Sequence, residues 1–477
     1  MVVVWLLVIP LIGSLVTLAV PARASKGVAA VVSLVTLGVF GAVLAGAPSG
    51  VDWSWIPAWG VHFHVAADGL SLFLLGLTAV LFPLAIFASD PLASRSYYFW
   101  LVFLEFASLG LFMALDLFLF YIFWEVLLIP VFFLLSGWSG PDGRPAALKW
   151  LIMNLVGSLF MLVAIIAVAV IHNHQGGGLT FDISQLAGTH FGPGSAPWLF
   201  LAFLLAFAIK SPLWPFHGWM PDAYGKSAPP VTALISGVLS KAGIYGILRV
   251  MLPLFLPQFH AYQLGLLIFA AAGLVFGALM ALRQQDMKMV TAYGSLSHMG
   301  MMALGIFSLT SVGVLGATFY MVAHGLMIGG LFLVLGMIEN RTGTRDIREL
   351  GGLNHTAPRL AAYFLFFALG ALGLPGLPGF AGEYMIIQGL VAHQLVFALI
   401  AGVVLTLAAW YMIRVFQGVM QGPVRQKTLR DIVATQVVWL VPLAGLVALL
   451  GVWPAAITTH AVPSLYHAVH LAKGGSF

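Results

Sequence analysis

Three ionisable side chains stand inside stretches that are otherwise apolar. Glu125 lies in Phe123-Trp124-Glu125, Lys241 in Leu239-Ser240-Lys241-Ala242, and Lys210 at the end of an apolar run, just before Ser211-Pro212. A charge at the centre of a bilayer costs about 2.5–3.5 kcal/mol on insertion scales, so these groups are expected to face inward, paired or hydrated. Desolvation raises a carboxylate's pKa and lowers an ammonium's, while an opposite charge does the reverse. A Glu–Lys pair that forms and breaks therefore swings the lysine's proton affinity, which is what a pump element needs. A static pair would only order the bundle, but two lysines against few carboxylates do not suit a fixed pairing scheme.

Further titratable groups extend the set. His298, in Ser295-Leu296-Ser297-His298-Met299-Gly300, and His324, in Ala323-His324-Gly325, fall in the middle of apolar runs. A single buried histidine is more often a hydrogen-bonded core residue than a relay, but two of them in the company of buried lysines suit proton transfer near neutral pH. Glu383 follows Gly373-Leu374-Pro375-Gly376-Leu377-Pro378-Gly379 and is placed to release protons outward. Glu105 is an auxiliary candidate that could feed protons to Glu125. His217 belongs to the auxiliary set through the loop His217-Gly218-Trp219-Met220-Pro221-Asp222-Ala223, whose turn residues and aromatics would fix the two lysine helices relative to one another.

Other chemistry finds no residues. There is no cysteine, hence no thiolate metal site, iron–sulfur ligation or thiol nucleophile on this chain. No His-x-x-x-His pair falls within an apolar run, and His172 with His174 is a lone loop pair, so no metal site is expected. No Walker pattern, nucleophile elbow or glycine-rich phosphate loop appears, so neither nucleotide hydrolysis nor hydride transfer belongs here. The energy source must lie on another chain.

The elements that position these residues follow from composition. Of 477 residues 61% are hydrophobic and 7% charged, a balance that places the chain in a bilayer. Apolar runs long enough to cross the ~30 Å hydrocarbon core as helices recur from end to end. The polar breaks give spans near 2–20, 28–47, 68–89, 97–115, 116–137, 148–171, 195–217, 230–252, 262–282, 289–309, 313–338, 360–390, 394–417 and 436–453. The first is full length and is expected to be retained rather than cleaved as a signal peptide. Alternate connections carry the cations: Arg23 and Lys26; Arg95; Arg144 and Lys149; Lys226; Arg283 and Lys288; Arg341, Arg345, Arg348 and Arg359; Arg414, Arg425, Lys427 and Arg430. The long connections 48–67 and 172–194 carry none, and Lys473 lies in the tail. By the positive-inside rule this predicts fourteen spans with both termini outward, and it assigns the net charge of +5 to one membrane face rather than to nucleic-acid binding.

The chain is expected to form a single all-α polytopic membrane domain. Pro and Gly interrupt the seventh and twelfth spans, which lie five helices apart and so run in opposite directions. That arrangement predicts two inverted five-helix repeats, 97–252 and 262–417, after an N-terminal group in 1–96 and before a last helix at 436–453. Discontinuous helices at matching places in inverted halves mark a transport pathway.

The segments Phe123-Trp124-Glu125-Val126-Leu127-Leu128-Ile129-Pro130, Lys210-Ser211-Pro212-Leu213-Trp214-Pro215, Leu239-Ser240-Lys241-Ala242-Gly243-Ile244-Tyr245-Gly246 and Ala292-Tyr293-Gly294-Ser295-Leu296-Ser297-His298 resemble the antiporter-like membrane subunits of respiratory complex I. Those subunits are themselves similar to Mrp-type cation/proton antiporters, and the likeness runs from about Asp68 to Arg414. Within the superfamily, Gly376-Leu377-Pro378-Gly379-Phe380-Ala381-Gly382-Glu383 resembles subunit M (chain 4), because subunits L and N and the Mrp proteins typically carry lysine where Glu383 stands. Subunit L would also continue into a long lateral helix, whereas this chain ends soon after its fourteenth span.

The resemblance implies a fourteen-helix fold in which Glu125 and Lys210 form a modulating pair, Lys241 is the central proton carrier, His298 and His324 belong to a polar axis, and Glu383 ends the outward path. It also implies a bacterial inner-membrane location, subunits L and N as neighbours, and electrons from NADH passing through FMN and iron–sulfur clusters to quinone on partner subunits. Two other transport readings use the same residues: a Na⁺/H⁺ antiporter component driven by an ion gradient, and a membrane subunit of an energy-converting hydrogenase. A purely structural scaffold would leave transport intact when Lys241 or Glu125 is replaced.

Overall fold

Three of the acidic residues outside the apolar runs begin helices. Asp116 accepts hydrogen bonds from the amides of Phe118 and Leu119 and starts Leu117–Val126; Asp182 does the same for Ile183–Leu186 and Asp286 for Met287–Phe307. Such caps satisfy amides that no earlier turn can reach. Glu105, Glu125 and Glu383 cap nothing, which sets them apart as interior groups.

The computed structural model describes residues 1–46, 49–90, 93–425 and 429–463; Lys427 and the tail residue Lys473 lie outside them. Ten helices among the described residues are long and apolar enough to cross a membrane, and three shorter apolar helices, Leu72–Ala88, Ala196–Lys210 and Pro358–Ala371, accompany them. Two spans, Pro229–Leu254 and Ser311–Thr342, are buried along their whole apolar windows, whereas the windows of Leu395–Met420 and Ala434–Val452 are only 33% and 28% buried. A helix apolar on every side belongs at the centre of a bundle, and one with an apolar outer face belongs against lipid or another subunit. The central pair carries Lys241 and His324.

The basic connections meet one another at one end of the bundle. Lys226 pairs with Asp142 and Lys149 with Asp222, each at 2.7 Å; Arg345 donates to the Gly225 carbonyl at 2.5 Å; Arg414 donates to the Leu282 carbonyl at 2.6 Å. The cation-free connections meet at the other end, where Gln263 and Gln394 both donate to the Ser308 carbonyl.

Several local features differ from the sequence reading. The stretch 48–67, read as a plain connection, contains an antiparallel hairpin of Ser49–Ile56 and Val61–Ala67. Hydropathy alone misses it, although Val51, Trp53 and Trp55 alternate with polar or small residues as a strand does. The fifth span is divided at Leu127 into Leu117–Val126 and Leu128–Trp138. The loop after Lys210 includes a short helix, Met220–Lys226.

The hairpin is tied down by side chains. His64 Nδ1 lies 2.6 Å from Asp182 Oδ2, and the amide of His62 donates to Asp116 at 3.0 Å. The Asp182 hydrogen bond lifts the His64 pKa above its ordinary value; burial opposes the lift, and the charges of Asp182, Asp52 and Asp116 add to it. A histidine whose pKa is raised by folding contributes stability fully below its unfolded value of about 6.5 and loses it as pH rises through the folded value. Hydrogen exchange in 61–67 is therefore expected to accelerate above about pH 6.5 beyond the intrinsic base catalysis, and His64→Gln to remove that excess. Identical pH profiles in the two proteins would show that the pair does not hold the hairpin.

Candidate functional site

The lysine helix is not a regular α-helix. Pro229–Leu254 contains two π turns, Ile235–Leu239 and Ile247–Met251, and the Ser240 amide reaches back five residues to the Ile235 carbonyl at 2.9 Å. Such turns release carbonyls from the ordinary ladder. The Ser236 carbonyl accepts from both Ser240 Oγ at 2.7 Å and Lys241 Nζ at 2.5 Å. Ser211, beside Lys210, inserts into the same region: its hydroxyl accepts from the Ile244 amide at 2.9 Å and donates to the Ser240 carbonyl at 2.5 Å.

Lys241 is completely buried, and its remaining contacts are Ser240 Oγ at 3.1 Å and His324 Nδ1 at 2.7 Å. The two central helices can approach this closely because glycines face each other: a Cβ on Gly325 would stand 2.7 Å from the Gly237 carbonyl oxygen. The His324 ring meets His298 edge to face, with centroids 5.2 Å apart, and both rings lie near Tyr320, at 6.1 and 5.8 Å. The Tyr320 hydroxyl then donates to Glu383 Oε1 at 2.6 Å. Lys241, His324, His298 and Glu383 are thus brought into one buried line with Tyr320 as the link.

Glu383 sits just inside Pro378–Val391, after the non-helical residues 372–377 that follow Pro358–Ala371. Gly373 there has φ +77°, and a Cβ on it would lie 2.2 Å from Glu383 Oε2, so the carboxylate occupies space only glycine leaves.

Lys210 is buried and donates to the Trp124 carbonyl at 3.2 Å, with its ammonium 4.6 Å from the Trp124 ring centroid and 5.7 Å from that of Trp150. These rings solvate the cation partly through their negative faces. Glu125 acts on Lys210 electrostatically, yet no ion pair joins them among the described residues, and Glu125 Oε1 is buried without a partner.

Glu105 is fully buried and accepts a hydrogen bond from Ser33, a partner in the second helix. His217 is half-buried against Phe276, with ring centroids 5.0 Å apart. Neither touches the line from Lys241 to Glu383.

Buried polar atoms nearly always find partners, so those that lack one within the protein mark where water or a moving proton belongs. Five of the fourteen such atoms among the described residues, both nitrogens of His298, His324 Nε2, Glu383 Oε2 and the Tyr411 hydroxyl, lie on or beside this line; the others, including Glu105 Oε1, Glu125 Oε1 and His217 Nδ1, are spread through the bundle. Among the described residues no group of three or more His, Cys, Asp or Glu is placed to hold a metal. The sequence reading passed over Tyr320, although it lies four residues before His324 and so shares its helix face. It also passed over Trp124 and Trp150, whose contact with Lys210 no spacing announces.

Residues 114–409 match the NADH:quinone oxidoreductase/Mrp antiporter transmembrane family. NADH-quinone oxidoreductase subunit M of Mycobacterium tuberculosis is 35% identical over 507 aligned positions, covering 95% of this chain and 91% of that protein. The protein of the same name from Escherichia coli K12 is 34% identical over 86% of this chain and 83% of its own length. A chain in the structure of respiratory complex I from Thermus thermophilus with bound NADH superposes with a TM-score of 0.91 at 31% identity, covering 99% and 100% of the two chains. A chain of the Mrp complex from Dietzia shares the fold, with a TM-score of 0.87 at 24% identity over 98% and 97% of the two chains.

Proposed function

The chain belongs to the NADH-quinone oxidoreductase subunit M family, within the wider NADH:quinone oxidoreductase/Mrp antiporter family, and we propose that its protons travel through Lys241, His324, His298 and Glu383, with Glu125 and Lys210 setting their affinity. The observation that carries this route is the 2.7 Å contact between a fully buried amine and an imidazole nitrogen, Lys241 Nζ and His324 Nδ1. A charged Lys241 hands the proton over as its Nζ–H bond breaks and an Nδ1–H bond forms on neutral His324. The amine is left neutral, and the imidazolium releases its other proton from Nε2 toward His298. Glu383 receives it through water beside Tyr320 and releases it outward. Glu125 nearing Lys210 would hold the Lys210 proton, and Glu125 moving off would release it, the swing a pump stroke needs.

The same reading includes fourteen spans in two inverted five-helix repeats, both termini outward, and a bacterial inner-membrane location. It is supported by the alternation of basic connections and by the non-helical residues after Lys210 and after Ala371. Neighbours of subunit L and N type, with FMN, iron–sulfur clusters and quinone on partner subunits, complete it; a chain without cysteine is consistent with electron carriers held elsewhere.

The test is NADH-driven acidification of inverted membrane vesicles by the assembled complex. His324→Gln removes the acceptor for the Lys241 proton and is expected to lower pumping at least about tenfold, as loss of a positioned proton-transfer group does. Wild-type pumping by an assembled His324→Gln complex would discard the route.

A further inference from the structure

The polar face of the lysine helix does not end at Lys241. Four and eight residues on stand Tyr245 and Arg249, leading toward the end of the bundle opposite the basic connections. The Tyr245 hydroxyl donates to the Phe112 carbonyl at 2.8 Å and accepts from Arg249 Nε at 2.9 Å. The guanidinium then forks onto Asp68, with its two terminal nitrogens 2.7 Å from Oδ2 and 2.5 Å from Oδ1. The same Oδ1 accepts from Ser71 Oγ at 2.9 Å and from the Ser71 amide at 3.0 Å.

This ladder starts about one helical turn beyond Lys241, at Tyr245, and runs along the same helix face toward the outer end of the bundle, and its chemistry is wrong for conduction. A guanidinium has five donors and no acceptor, and it stays protonated at every physiological pH, so it cannot pass a proton along. Paired with Asp68, it leaves no free carboxylate at this end of the ladder to draw a cation in. The Tyr245 hydroxyl is committed in both directions, its proton to Phe112 and its lone pair to Arg249. A bidentate fork on an anchored carboxylate also resists displacement better than a single contact.

We propose that Arg249 and Asp68 seal the outward end of the Lys241 compartment, so that a proton on Lys241 leaves sideways to His324 instead of escaping directly. This rests on Lys241 being the proton carrier. Neither residue accepts the pumped proton; their role is to deny it a second exit, without which the forward path would be short-circuited.

Inverted vesicles containing the intact complex test this with Arg249→Gln and Asp68→Asn. With electron transfer stopped, an imposed pH gradient is expected to decay several-fold faster in either variant than in the wild type. With NADH, the steady gradient falls while NADH oxidation continues. Adding Lys241→Ala to Arg249→Gln is expected to restore the slow decay, because the leak needs the carrier. Assembled variants that hold the gradient like the wild type would overturn the seal, as would a leak that persists without Lys241. Failure of both single variants to assemble would identify the pair as a strut of the fold and overturn it too. The carrier reading fails on a different result, unchanged NADH-driven pumping in Lys241→Ala alone.

Discussion

Lys241→Ala is expected to abolish NADH-driven proton pumping, by at least about 10²-fold, and to slow coupled quinone reduction, while the complex still assembles. The size follows from position. Among the described residues Lys241 is the one amine hydrogen-bonded to His324, and it has no carboxylate partner, only the Ser236 carbonyl, Ser240 Oγ and His324 Nδ1. Alanine cannot carry a proton across that junction. Assembly should survive, because a charge in this setting costs folding free energy and its removal relieves that cost. Lys241→Arg separates the readings further: it keeps a cation but cannot release its proton, so it should pump no better than alanine. Normal pumping in Lys241→Arg would make the charge, not the proton, the useful property.

Glu383→Gln is expected to cut pumping at least about tenfold with little change in stability. Glutamine keeps the shape of the side chain and can still accept the Tyr320 hydroxyl, which now donates at 2.6 Å, but it cannot take up and release a proton. A second variant reaches the same carboxylate from outside. Gly373→Ala would place a Cβ 2.2 Å from Glu383 Oε2, forcing the side chain to move. Gly376 also has a left-handed backbone, at φ +91°, but a Cβ there meets nothing within 4 Å. Both alanines carry the left-handed strain, about 1–2 kcal/mol, so the difference between them isolates the collision with Glu383. Pumping lost in Gly373→Ala and kept in Gly376→Ala is the expected result. Equal pumping in the two would mean that the exact placement of Glu383 does not matter.

Much of the molecule was legible from residue type and spacing. Charges are so costly in a bilayer that Glu125, Lys210, Lys241, His298, His324 and Glu383 stand out against an apolar background, and all but Glu125 are buried as whole residues. Local breaks were legible too, since the residues after Lys210 and after Ala371 are where Pro and Gly remove ladder donors and favour turns. The hairpin at 49–67 was not, because hydropathy windows see composition and not two-residue alternation.

Residue type and spacing already place this chain in a bilayer, mark the charges that are costly there and put the cations in alternate connections, because each of these follows from the transfer free energy of single side chains. Tertiary structure alone decided which of those residues meet. That Lys241 reaches His324 depends on two glycines at one helix crossing; that Glu383 joins the line depends on Tyr320; that Arg249 finds Asp68 depends on a contact between residues 181 positions apart. A proton moves only across hydrogen-bonding distances of a few ångströms, and such distances between separate helices are fixed by packing, which no local pattern in one helix contains.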